Sequence, residues 1–113
     1  MTIWDFYGKL GKIVGLVESR RAAGRTRPLP GHTLYHFYVS PASRRARLAV
    51  YELGLAIPFK EVLVDEEAWG ELVRQGGKDQ VPCLRIEENG KVRWMYESAD
   101  IVRYLIAQAA SGG

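Results

Sequence analysis

Thiols and imidazoles are scarce in this chain: its 113 residues include one cysteine, Cys83, and two histidines, His32 and His36. A single cysteine excludes an internal disulfide, a cysteine-based zinc site and a dithiol redox pair within one chain. The two histidines lie near one predicted strand with no Asp, Glu or Cys at ligand spacing, so no metal site is expected. Long apolar runs are missing too. Spanning a bilayer takes roughly 20 apolar residues, and the apolar stretch near the N-terminus is shorter and more charged than that. Charge and glycine interrupt it and Arg20-Arg21 follow it, which makes it a poor secretory signal. Carboxylates are sparse in one place only. Residues 1–31 carry six cations against Asp5 and Glu18, a net +4, and the remaining 82 residues sum to −1. The basic character belongs to one end, as in a tail with its own partner, and the slightly acidic remainder argues against nucleic acid.

What is present suffices for one domain with its own core. Hydrophobic content of 47% with 26% charged residues lies in the soluble globular range. Ile3, Phe6, Tyr7, Leu10, Ile13, Val14 and Val17 recur at helical spacing, and Lys9, Lys12 and Glu18 fall between them. This predicts an amphipathic helix of about four turns over residues 3–17. Gly8, Gly11 and Gly15 each weaken it by about 1 kcal/mol relative to alanine, so it needs a surface to lie against. That surface is the domain, a second copy of the chain in a homodimer, a protein partner, or a membrane interface. In the last case Trp4, Phe6 and Tyr7 insert and the arginines meet anionic head groups. Without any of them the segment is disordered. Residues 22–31 are a linker by composition, which divides the chain into residues 1–31 and a domain over 32–110.

Residues 33–39 are β-branched, aromatic and aliphatic and predict a buried strand. Ser40-Pro41-Ala42-Ser43 opens a helix running to Leu53. Serine is a favoured N-cap, and proline just inside has its φ preset. Gly54 supplies the left-handed C-terminal residue. Residues 58–64 form a second strand, as a βαβ unit requires. A short polar helix follows from Asp65 to about Gln75, ended by Gly76-Gly77. Residues 80–86 predict a third strand with Pro82 near its start. Asn89-Gly90 tolerates the positive φ of a type I′ hairpin turn, and residues 92–96 return as a fourth, antiparallel strand. Glu97-Ser98 leads into a last helix with Ser98 as its cap and Ile101, Val102, Leu105 and Ile106 as its apolar stripe. The expected order is βαβαββα around a four-stranded mixed sheet.

With Ser-Pro-Ala-Ser at the first helix, Val81-Pro82 at the third strand and Glu97-Ser98 at the last helix, residues 33–108 resemble a known family. They are similar to the N-terminal thioredoxin-like domain of glutathione transferases and to glutaredoxins. The resemblance implies a thioredoxin-like α/β fold and glutathione as ligand or substrate. Ser40, the candidate catalytic residue, falls where glutaredoxins carry cysteine and several transferase classes carry serine. At a helix N-terminus, with its partial positive charge, such a serine can donate to the glutathione sulfur and lower its pKa. Ser43 falls where the second glutaredoxin cysteine would be. Val81-Pro82 corresponds to the family's cis-proline pair, which leaves the Val81 backbone free to pair with the glutathione peptide. Glu97 and Ser98 correspond to the pair that grips the γ-glutamyl end, by carboxylate to ammonium and by hydroxyl and helix N–H to carboxylate. Gln80, and with it Lys78, is placed to reach the glycyl carboxylate. Arg44, Arg45 and Arg47 crowd the first helix, either facing a bound anion or forming a solvated basic face. Cys83, without a partner, is expected to be a small core residue.

A serine at position 40, natural or introduced, has no disulfide chemistry, so glutaredoxin-type exchange is not expected. Full transferases carry a second, all-helical domain that forms the electrophile pocket, and these 113 residues end just after the first domain's last helix. The expectation is a glutathione-binding, transferase-like protein of the cytoplasm, peripheral to a membrane if its first helix binds one. Two alternatives stand beside it. One is a non-catalytic adaptor acting through residues 3–17; the other is a glutaredoxin-like oxidoreductase whose active cysteine became serine.

Overall fold

The computed structural model describes residues 26–111 and, nearer the N-terminus, residues 2, 5, 6, 9, 10 and 13. Much of the helix expected over residues 3–17 therefore lies outside the described residues. Those described within it, Asp5, Phe6, Lys9, Leu10 and Ile13, are helical. Thr2 and Asp5 exchange backbone-to-side-chain hydrogen bonds at 3.0 and 3.1 Å, the reciprocal arrangement of a helix start. Among the described residues no helix is long and apolar enough to cross a membrane.

The ordered domain runs β1 (Arg27–Pro28), β2 (His32–His36), α1 (Pro41–Glu52), β3 (Leu55–Ala56), β4 (Phe59–Glu61), α2 (Glu66–Glu71), β5 (Cys83–Glu88), β6 (Lys91–Met95) and α3 (Ser98–Ser111). Its main sheet has the order β4-β2-β5-β6. β2 pairs parallel with β4 and antiparallel with β5, and β5 pairs antiparallel with β6. This is the expected four-stranded mixed sheet in a thioredoxin-like arrangement. The β5–β6 turn has positive φ at both Asn89 (54°) and Gly90 (75°), as a type I′ hairpin demands.

Strand alternation sends side chains to two cores. Leu34, Leu84 and Ile86 face α1 and α3, where they meet Ala46, Val50, Ile101 and Leu105. Tyr35 and Cys83 face the other way, onto Ala68 and Leu72 around α2. Each buried Leu or Ile contributes about 1.5–3 kcal/mol relative to exposure. The sheet is thus covered on both faces, which explains why β2 shows no regular alternation of apolar and polar residues.

Four features differ from expectation. The first strand stops at His36, because side chains take over the polar groups of the following peptide. The second stops at Glu61, whose carbonyl accepts from Val64 and Asp65 as the chain turns. The third begins at Cys83, since Pro82 has no N–H to give a ladder. Finally, residues 27–29 of the compositional linker are built into the domain. β1 pairs parallel with β3, and Arg27 Nη2 donates to the carbonyls of Gln108 and Ala109 at 3.2 Å. A cation on the last carbonyls of α3 meets both their hydrogen-bonding need and the helix dipole. After α2 the chain continues through a π-helical turn, Leu72–Gly76, and ends in left-handed Gly77.

Candidate functional site

Ser40 caps α1: its Oγ accepts from the Ser43 N–H at 3.2 Å. The hydroxyl proton stays available to donate, so capping and ligand binding are compatible. Ser43 is fully buried, and its Oγ accepts from the Phe37 N–H at 3.1 Å. It is turned inward to hold the β2–α1 loop, away from any surface a ligand can reach.

The Val81-Pro82 peptide is cis. Gln80, just before it, donates from Nε2 to Glu97 Oε1 at 3.0 Å. Glu97 has φ 69°, a left-handed conformation uncommon for a non-glycine residue. The Glu97 carbonyl accepts the Ile101 N–H, so Glu97 holds the capping position and Ser98 is the first helical residue, not the cap. Arg45 Nη1 reaches across from α1 and donates to Ser98 Oγ at 3.1 Å. Two hydrogen bonds therefore join α1 to the start of α3, and the start of α3 to the segment before Pro82. Gln80 also borders a hollow of about 460 Å³ lined by Trp69, Val73, Gly77, Lys78 and Asp79. Lys78 Nζ stands 5.1 Å from the Tyr96 ring centre.

Arg47 was expected beside Arg44 and Arg45, facing either a bound anion or solvent; the structure buries it completely. Its guanidinium donates to His36 Nδ1 at 3.0 Å and to the carbonyls of Phe37 and Tyr38 at 2.9 and 3.0 Å. The signal was in the spacing, because Ser43, Ala46, Arg47 and Val50 are one helix face and all four are buried. Glu61 was missed as well. Its Oε2 accepts the Tyr38 N–H at 2.7 Å and its Oε1 the Leu63 N–H at 3.0 Å. Tyr38 lies 23 residues away, and no local pattern pairs them.

Both histidines are structural. His32 bridges the Pro30 carbonyl at 2.8 Å and the Tyr104 hydroxyl at 2.7 Å, tying β2 to α3. Burial, reinforced by Arg47, pushes the His36 imidazole down to about 3. The folded state therefore disfavours the proton that the unfolded chain takes up near pH 6.5. Stability contributed by neutral His36 is fully present above pH 6.5 and is lost as pH falls towards about 3. Urea unfolding between about pH 6.5 and 5 should show falling stability in the wild type. His36→Asn, which keeps an acceptor for Arg47, should flatten that slope; an unchanged slope would assign it elsewhere.

Cys83 is buried in the second core, and desolvation pushes its thiol up to about 12. Because the thiolate is the reactive form, native protein should resist an aromatic disulfide reagent and react stoichiometrically once unfolded in urea. Rapid labelling of the native thiol would contradict this burial.

The family model of the glutathione S-transferase N-terminal domain matches residues 34–112. The chain belongs to this family. Among solved structures, it is similar to a maleylacetoacetate isomerase from Anaeromyxobacter dehalogenans with glutathione bound in its active site. That similarity has a TM-score of 0.55 and 26% identity, and covers 70% of this chain and 38% of that one. The same isomerase with bound dicarboxyethyl glutathione and citrate matches with a TM-score of 0.54 and 28% identity, over 70% of this chain and 37% of that one. This transferase-family chain thus spans well under half the length of those proteins. No curated protein sequence matches it. Ser40, the cis Val81-Pro82 pair and Glu97-Ser98 all fall within the matched residues.

Proposed function

We propose that residues 32–110 bind glutathione where the N-termini of α1 and α3 approach the Val81-Pro82 corner, and that residues 1–31 are an appended segment. The observation that carries this reading is the pair of hydrogen bonds, Arg45 to Ser98 and Gln80 to Glu97, which draws three distant segments together. Family membership and the glutathione-bound neighbours support the choice of ligand. Each part of glutathione has a suitable counterpart. The Glu97 carboxylate suits the γ-glutamyl ammonium, and the Ser98 hydroxyl with the first N–H groups of α3 suits its carboxylate. The Val81 backbone suits the cysteinyl peptide, and Gln80 the glycyl carboxylate. Ser40 Oγ–H donates to the sulfur; with a hydroxyl in place of a thiol it holds the thiolate and forms no mixed disulfide.

If the site conjugates glutathione, Ser40 is its catalytic residue and the reaction is transferase-like. A glutathione ligand and a lone reduced cysteine suit a cytoplasmic setting. Glutathione titration followed by amide chemical shifts tests the reading. The expected result is saturable shifts at Ser40, Gln80, Val81 and Ser98 at millimolar or lower concentration. Ser98→Ala should weaken binding on the order of tenfold, the loss of one hydrogen bond to a charged group. No shift at these residues under high glutathione would overturn it.

A further inference from the structure

The peptide joining Phe37 to Tyr38 sits between two opposite charges, three residues before Ser40. Its carbonyl oxygen accepts from Arg47 Nη1 at 2.9 Å, and its N–H donates to Glu61 Oε2 at 2.7 Å. A cation thus holds the negative end of the peptide dipole and a carboxylate the positive end, each by a charge-assisted hydrogen bond. The same Phe37 carbonyl also accepts the Ser40 N–H at 3.2 Å. Phe37 N–H donates to Ser43 Oγ, and Ser43 N–H donates to Ser40 Oγ, which closes a ring of hydrogen bonds back to the serine. Neither charged residue is placed to act as a ligand: Arg47 is fully buried and Glu61 spends both oxygens on backbone amides.

We propose that Arg47 and Glu61 are positioning residues that aim the Ser40 hydroxyl at the sulfur of bound glutathione through the one peptide they clamp. This rests on the glutathione reading above and adds to it the element that sets the serine's direction. A serine hydroxyl can rotate freely, and capping alone fixes only its accepting side. The clamped loop fixes the Ser40 backbone as well, and with it the line along which the proton is offered.

Glu61→Gln is the test, read with two ligands. One acceptor oxygen becomes an NH2 group and the charge is removed, so Glu61 can no longer serve both amides and the charge-assisted hold on the Tyr38 N–H is weakened or lost. Binding of glutathione and of S-methylglutathione is measured by calorimetry. The ionisation of the bound thiol is followed by thiolate absorbance across pH. S-methylglutathione fills the same site but has no thiol proton to lose, so it reports the site without the Ser40–thiolate contact. The expected result is a fall in glutathione affinity on the order of tenfold, with S-methylglutathione affected by less than about twofold. The bound thiol's pKa should move back towards that of free glutathione. In a Ser40→Ala background, Glu61→Gln should leave that pKa where Ser40→Ala alone puts it. Equal weakening of both ligands, or an unchanged thiol pKa, would overturn the inference while leaving the binding site intact. A wild-type protein that binds neither ligand would overturn the underlying reading itself. If Glu61→Gln does not fold, Glu61→Asp keeps the charge but is too short to serve both amides, and gives the same comparison at smaller amplitude.

Discussion

Replacing Arg47 by methionine is expected to destabilise the domain by about 3–5 kcal/mol, the range for removing one partner of a buried charged network. Two effects compete. An apolar side chain of similar length avoids the cost of desolvating a guanidinium, and buried ion pairs have been exchanged for apolar residues without loss when all partners change together. Here the partners include backbone carbonyls of Phe37 and Tyr38, which no substitution can remove. The half-buried Tyr38 carbonyl would lose this donor and the Phe37 carbonyl would keep only the Ser40 N–H, alongside a buried His36 Nδ1 stripped of its donor and a Glu61 carboxylate deprived of its nearby positive charge. The orphaned groups decide the sign. Against a typical total of 5–15 kcal/mol the loss is a large share, so the urea midpoint should fall sharply with little change in slope. Arg44→Met, on the exposed side of the same helix, should cost less than about 1 kcal/mol. A loss of that small size in Arg47→Met would mean that the carbonyls find other donors.

Gly31→Ala should be the second most damaging change among those considered. Gly31 has φ 80°, and its carbonyl accepts the Glu87 N–H at 2.8 Å, so the two backbones lie against each other at the entry to β2. An added Cβ would press into the Glu87 carbonyl oxygen, a backbone atom of a paired strand that cannot swing aside. The left-handed conformation alone costs a non-glycine residue about 1–2 kcal/mol, and the clash adds to it, for an expected loss above about 2 kcal/mol. Gly90→Ala separates the two contributions. Its φ is 75° and an added Cβ meets nothing within 4 Å, so it incurs the conformational cost alone. Equal losses for the two variants in urea unfolding would show that the backbone approach at Gly31 carries no weight.

Local pattern carried much of this reading. The Asn89-Gly90 turn, Ser40 as the cap of α1 and the apolar stripe of α3 are each decided within a few residues by φ preference, capping chemistry and helical period. For the same reason the element order was legible, and with it the expectation of a four-stranded mixed sheet. The cis peptide at Pro82 was not legible from local chemistry and came from resemblance to the family. Ordering of residues 27–29 went unseen, because its causes, pairing with β3 and the carbonyls at the end of α3, lie 27 and more residues away.

The sequence by itself determined a thioredoxin-like domain with one cysteine and no partner for it, a basic N-terminal segment, and Ser40 at the head of the first helix. Tertiary structure alone decided how the residues around that serine divide their work. Ser43 turns inward, Arg45 turns outward to Ser98, and Arg47, two positions further along, goes under the loop to meet His36 and the carbonyls of Phe37 and Tyr38. Three arginines in four residues look alike in a sequence. Helix geometry sends them to different faces, and only the packed neighbours show which face is solvent, which reaches the start of α3 and which is core.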